Sequence, residues 1–336
     1  MVFETESYQQ LKFNLSIDDS KLVDLIEDAI AKIQIKPDFT IVHPDYEPLT
    51  VSKSYRDYLA QRSVKECDRY LVNKLQQYLY AIFCGRLKPK SSIENSQNLS
   101  TDGHSLQNKI VNDTNSWHKT KFFTRLTQCN HSKGYKDAGW LVVDGDKQHW
   151  QVSKDGLTLN IDLQEHFLDP NIKLQIGDIV SLVMPPNLIE RGFYIAVGNA
   201  GSANNLQPAL ECAIEQLYFN VDAQTSLVLL DGLTRQLNER SIPFDFKIPY
   251  SENDFERIDA PVLEFLSGDR PKVETIIKNI HSENAANFQF KTPFFCQQLA
   301  PGLGLAEKPR PVSNIKWENY GYKYCSLIAQ SILRLR

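Results

Sequence analysis

No apolar run in this 336-residue chain approaches the roughly 20 residues that would span a bilayer. The opening MVFETESYQQ also lacks the basic start and apolar stretch of a signal peptide. The expected setting is therefore cytoplasmic, with no membrane partner. An excess of positive charge is missing too: the net charge is -4, so nucleic acid is not an expected partner and any cationic site must be local. Six cysteines, Cys67, Cys84, Cys129, Cys212, Cys296 and Cys325, form no CxxC pair and have no histidine at ligand spacing. They read as buried thiols rather than as a zinc site. GxSxG, HExxH and a Walker loop are all absent, which removes the common hydrolase, zinc-protease and nucleotide-loop signatures. No metal and no organic cofactor is expected.

What is present divides by hydrophobic period. Leu22, Leu25, Ile26, Ala29, Ile30 and Ile33 follow the acidic SIDDS and predict a helix over 18–35. A second helix is expected from Ser54 to about Phe83, stopping at Gly85, and a third from about Leu106 to Thr127. The polar stretch between these two, near 87–105, reads as a flexible connection. From Gly139 the period shortens to that of strands, and the turn signals DGD and KDG predict a meander. IGDIVSLVMPP, GFYIAVGNA, LYFNV, FDFKIPY and APVLEF add strands; helices are expected at Ala223–Arg240, from Val273 and at Tyr324–Leu335. The order favours α+β: a helical region over 1–130, then an α+β core over 131–336 built on a mostly antiparallel mixed sheet with flanking helices.

Two loops stand out, NHSKGYKDAGW (Asn130 to Trp140) and LAPGLGLAEKP (Leu299 to Pro309). Each is punctuated by glycine and carries lysine, a combination that lets a loop bend its backbone and present a cation to an anion. With LYAIFCGR (Leu79 to Arg86), FTRLTQC (Phe123 to Cys129), GFYIAVGNA (Gly192 to Ala200), YFNV (Tyr218 to Val221), PFDFKIPYSENDFERIDAPVLEF (Pro243 to Phe265), TPFFCQQ (Thr292 to Gln298) and ENYGYKYC (Glu318 to Cys325), they form an ordered set. Over roughly the last four-fifths of the chain that set resembles the HopA-type family, first named for a type III secretion effector. What the resemblance implies is lyase chemistry, because members of the family act beside a separate kinase in making class V lanthipeptides and thioamide peptides. The kinase phosphorylates Ser or Thr of a precursor peptide; the lyase then eliminates phosphate to leave a dehydroamino acid.

Such an elimination removes a weakly acidic α-proton and expels a phosphate dianion, so it needs donors fixed at both places. Among the resembling motifs, Lys247 alternates with Phe244 and Phe246 near a strand end, and Arg257 follows in ERID. They are the first candidates for base chemistry and phosphate binding; a surface pair beside Asp254, Glu256 and Asp259 is the alternative. His131 is a candidate acid or a helix-end cap, with Lys133 and Lys136 beside it as substrate contacts. Arg191 could grip phosphate and Tyr194 could polarise a carbonyl, or they serve as a loop cation and a strand residue. Lys308 closes the second glycine loop as a further substrate contact. The chain departs from the family's pattern at Lys136, where an aromatic is more usual, and at Gln297, Gln298 and Tyr324, near which relatives carry basic residues. Two alternatives to a lyase are a noncatalytic peptide-binding or kinase-partner subunit and an effector-like interaction protein.

Overall fold

The computed structural model describes residues 24, 27, 28, 31–84, 121–145, 150–190, 192–210, 212–309 and 320–334. The expected connection near 87–105, and most of the helix expected over 18–35, lie outside them. Of the helix expected over 18–35, the described residues 24, 27, 28, 31 and 32 are helical, and a strand takes over at Gln34. β1 (Gln34–Ile35), β2 (Ile41–His43) and β3 (Tyr46–Leu49) form a three-stranded antiparallel sheet. The single helix expected from Ser54 to Phe83 is two, α1 (Lys53–Leu59) and α2 (Val64–Phe83). The break has a local cause: Ser63 accepts from the Glu66 amide while the Glu66 carboxylate accepts from the Ser63 amide, a reciprocal cap that starts a new helix.

After α3 (Lys121–Cys129), β4 (Tyr135–Gly145), β5 (Trp150–Lys154) and β6 (Leu157–Ile161) make the expected meander. A short α4 (Leu163–His166) follows, and β7 (Ile179–Met184) returns beside β4, giving a four-stranded sheet in the order β6-β5-β4-β7. Trp140, Val142, Val152 and Leu182 fill its inner face.

The larger sheet has seven strands in the order β13-β14-β10-β12-β11-β9-β8. These are β8 (Asn187–Glu190), β9 (Phe193–Val197), β10 (Ile214–Phe219), β11 (Phe244–Pro249), β12 (Val262–Leu266), β13 (Gln297–Ala300) and β14 (Leu303–Glu307), all paired antiparallel. Helices α5 (Ala203–Leu210), α6 (Ala223–Glu239), α7 (Arg270–Asn284) and α8 (Tyr320–Arg334) complete an α+β fold. No helix among the described residues is long and apolar enough to cross a membrane. Cys84, Cys296 and Cys325 are buried, while Cys67, Cys129 and Cys212 are half-buried; all six are free thiols.

Strand alternation gives the seven-stranded sheet two unlike faces. Leu217, Phe219, Phe244, Phe246, Ile248, Leu263 and Phe265 all turn to one side, where α3, α6 and α7 cover them. In α6, Leu229, Leu230, Leu233 and Leu237 recur at helical spacing on the buried stripe, and Asp222 caps the start by accepting from the Thr225 amide. The intervening strand residues face the other way, and there the chemistry-bearing side chains collect.

Candidate functional site

Register places Asp245 of β11 opposite Glu264 of β12, and Glu264 opposite Gln216 of β10. One row therefore carries three polar side chains across three central strands, all of them buried. In the next row Lys247 lies opposite Val262, with Tyr218 beyond it. Glu264 is fully enclosed and would be costly to bury without partners. It has four. One oxygen accepts from Lys247 Nζ at 3.0 Å and Gln216 Nε2 at 2.7 Å. The other accepts from Lys308 Nζ at 3.0 Å and Asn204 Nδ2 at 2.7 Å. Each oxygen thus takes one ammonium and one amide, which saturates the carboxylate's acceptor capacity. Burial alone would push the Glu264 carboxyl up, but the two lysines and the Asn204 hydrogen bond outweigh it and hold the group at about 2.

The surrounding groups lock this arrangement. Asn204, on the first turn of α5, also donates to Asp245 Oδ2 at 2.8 Å and accepts from Lys308 Nζ at 2.6 Å. Ser202 Oγ donates to the same Asp245 oxygen at 2.8 Å. Burial, with Glu264 close by, raises the Asp245 carboxyl above its usual range. Tyr218 donates to Gln216 Oε1 at 3.0 Å, and burial pushes its phenol well above the ordinary value. Burial lowers Lys247, but Glu264 and Asp245 more than offset this, so its ammonium is held above the ordinary lysine value.

The structure brings together three of the sequence candidates and separates the rest. Lys247 and Lys308 share Glu264. Arg257 joins the same side of the sheet: its guanidinium lies 5.0 Å from the ring centre of Phe193, which alternates onto the Lys247 face, and it forks onto Asp259 at 2.6 and 2.9 Å. Tyr80 of α2 donates to that Asp259 at 2.6 Å, tying the Arg257 loop to the helical layer. Tyr80, Asp259 and Tyr218 also line a small cavity with Cys84, Cys296 and Gly321.

Tyr194 is fully buried on the opposite face, where its hydroxyl accepts from Asn130 Nδ2 at 3.1 Å; β9 register turns Phe193, not Tyr194, toward Lys247. His131 is likewise on that side, 2.7 Å from Asp231 of α6. Lys136 is exposed on β4, opposite Val183. Its neighbour Tyr135 makes the contact with Ile195 and Val197. Lys133 is exposed, and its backbone amide donates to Asn199 Oδ1 at 2.6 Å. Arg191 lies outside the described residues.

The glycines of the two loops have packing reasons. Gly134 has φ +96°, and a Cβ there would strike the Met184 carbonyl; at Gly302, with φ +67°, it would strike the Gln289 carbonyl. Both conformations place the backbone against a neighbouring segment rather than around an open anion site. Although burial works against it, Glu264 and Asp245 hold the Lys247 ammonium above the ordinary lysine value, whereas the base role expected of it would need the neutral amine.

The partners that sequence reasoning missed are Glu264, Asn204, Asp245, Gln216 and Tyr218. One signal was available: Glu264 interrupts the apolar run VLEFL, where a strand buried on both faces holds a charge only with counter-ions.

Residues 184–335 match the HopA1 effector protein family. The match contains Lys247, Arg257, Glu264 and Lys308 but not the loop from Asn130 to Trp140, so it is narrower than the four-fifths expected from the motifs. A solved structure described as that of the effector protein from Pseudomonas syringae pv. tomato strain DC3000 is similar at 12% identity, covering 80% of this chain and 87% of that one, with a TM-score of 0.37. Among curated proteins nothing matches.

Proposed function

We propose that the chain is a lyase eliminating phosphate from phosphoserine or phosphothreonine of a precursor peptide modified by a separate kinase, leaving a dehydroamino acid. The observation that carries the reading is the display of Lys247 and Lys308 on separate oxygens of one buried carboxylate, with Arg257 on the same side of the sheet. A phosphate dianion is recognised by such charge-assisted donors, and they count most where charge grows as the leaving group departs. Lys247 and Lys308 hold the phosphoryl oxygens, and Lys247, kept protonated by Glu264, supplies a proton to the leaving phosphate. A solvent water takes the Cα proton, the Cα–H electron pair becomes the new C=C bond as the Cβ–O bond breaks, and phosphate leaves with that bond's electrons and the proton from Lys247, which is reprotonated from solvent. The match of residues 184–335 to the HopA1 family supports this assignment.

A second reading, phosphopeptide binding without elimination, is favoured by one observation. Lys247 is held above the ordinary lysine value rather than lowered toward neutrality, so it offers no ready base for the α-proton. Incubating the purified chain with a phosphothreonine peptide and following loss of phosphoric acid by mass spectrometry separates the two. Elimination that disappears in Lys247→Ala supports the lyase; tight binding with an intact phosphopeptide leaves the binding role.

A further inference from the structure

The helical hairpin of α1 and α2 carries an exposed aromatic cluster that the fold itself does not use. Tyr55 and Tyr58 are 42% and 46% exposed, large values for side chains of this size. Their ring centres are 5.4 Å apart, and Tyr70 of α2 lies 5.0 Å from Tyr55. Two cations stack on the group: Arg62 sits 4.3 Å above the Tyr58 ring and Lys74 lies 5.8 Å from Tyr70. Tyrosine and arginine are the side chains most enriched at binding hot spots, because they give large, stiff contact area with a polar tip.

The charge of the hairpin indicates the occupant. Residues 53–77 carry six cations, Lys53, Arg56, Arg62, Lys65, Arg69 and Lys74, against the three acids Asp57, Glu66 and Asp68; Arg56 also pairs with Asp38 at 3.1 Å and Arg62 with Glu66 at 3.7 Å, which still leaves an excess of positive charge. A locally basic surface thus stands on a chain whose net charge is -4, and the complementary ligand is acidic. Tyr70 precedes Tyr80 by ten residues of the same helix, roughly 15 Å along its axis. Tyr80 in turn holds Asp259, the partner of Arg257, so the same helix carries the cluster at one point and meets the Arg257 end of the cationic face at another. At about 3.3 Å per residue, some five residues bridge that axial distance.

We propose that the Tyr55, Tyr58, Tyr70, Arg62 and Lys74 surface docks an acidic segment of the same peptide whose phosphorylated residue enters the Lys247 and Lys308 face. The inference rests on the phosphopeptide reading, but its contacts are separate from that site. The test uses the full chain and fluorescent phosphothreonine peptides in which a block of about five glutamates, set some five residues from the phosphate, is kept or replaced by glutamines. Anisotropy should show about tenfold tighter binding with the glutamate block. That advantage should shrink as salt rises and vanish in the Arg62→Glu, Lys74→Glu double variant, with Tyr58→Ala losing part of it.

An unphosphorylated peptide keeps the glutamate preference while Lys247→Ala leaves that preference intact, so failure of the phosphate site and failure of the docking surface give different results. A circular dichroism check confirms that each variant is folded. Equal affinity for the two peptides, a preference that survives charge reversal, or binding to phosphatidylserine vesicles through the same residues without a preference among peptides would overturn the proposal.

Discussion

The two faces of the seven-stranded sheet are built from the same strands, yet one is a dry apolar layer and the other a saturated polar network. In β11, Phe244, Phe246 and Ile248 go to the helices while Asp245 and Lys247 go to the site. In β12, Leu263 and Phe265 go one way and Glu264 the other. The apolar face gains stability from area removed from water, at about 25 cal/mol per Å². The polar face gains no comparable driving force, since desolvation of Glu264 offsets much of its attraction to the lysines. A protein that needed only a stable sheet would do as well with leucine there. The contrast therefore separates residues kept for folding from those whose presence asks for a function.

The largest effects come from breaking either face. Phe246→Ala opens a cavity in the apolar layer and should cost about 3–5 kcal/mol in urea unfolding. Glu264→Ala should cost a similar amount, about 3–5 kcal/mol, because two lysines lose their shared counter-ion. The faces part when the whole polar unit is exchanged. Lys247→Met, Glu264→Leu and Lys308→Met together should recover most of that stability while abolishing phosphopeptide binding. If the triple variant still binds phosphopeptide, the polar face is structural and the proposed site is elsewhere. One step smaller, Lys247→Ala or Lys308→Ala should weaken binding of a phosphothreonine peptide by about 10- to 100-fold, the loss of one charge-assisted contact of roughly 1.5–3 kcal/mol. The unphosphorylated peptide should bind each variant as it binds the parent.

Acid should sharpen the same contrast. The Glu264 carboxyl is held at about 2 in the folded chain, against about 4.3 when unfolded. A depressed carboxyl contributes stability above its unfolded value and loses it as pH falls toward the folded one. That contribution, about 3 kcal/mol, should disappear between roughly pH 4.3 and 2. Asp245, raised by burial, acts in the opposite sense by becoming easier to bury as it protonates. Urea midpoints across this range should fall more steeply for the parent chain than for Glu264→Gln, which has no carboxyl to titrate there. Parallel slopes would mean that the Glu264 carboxyl titrates alike in the folded and unfolded chain.

Much of this architecture was legible because it depends on neighbours in sequence. The meander followed from DGD and KDG, the α6 stripe from leucines at helical spacing, and the place of Lys247 from its alternation with Phe244 and Phe246. The start of α2 was equally local, since Ser63 and Glu66 form an S-x-x-E signature, but a continuous helical pattern obscured it. Short strands such as β1 and β2 carry too few residues to show a period. The site was less legible because its partners arrive from distant segments. Glu264 reads as a stray acid until Lys308, 44 positions on, and Asn204, 60 positions back, are brought to it. Tyr194 and Phe193 are adjacent in sequence and face opposite ways, and only pairing with β11 decides which one meets Lys247.

The smallest effect tests whether the helical layer helps to hold the polar face in place. Tyr80→Phe removes one hydrogen bond to Asp259 while keeping the ring against Tyr322, so the stability loss should be only about 1 kcal/mol. Asp259 keeps its two bonds to Arg257, and the Lys247, Lys308 and Glu264 unit is untouched. Because the carboxylate that orients Arg257 loses one of its fixings, phosphopeptide affinity should fall by a few-fold with no change for the unphosphorylated peptide. An unchanged affinity in a chain whose urea midpoint has shifted would assign Tyr80 to packing alone. A phosphate-specific loss would show that α2, although it sits outside the sheet, contributes to the cationic face through a single buried hydroxyl.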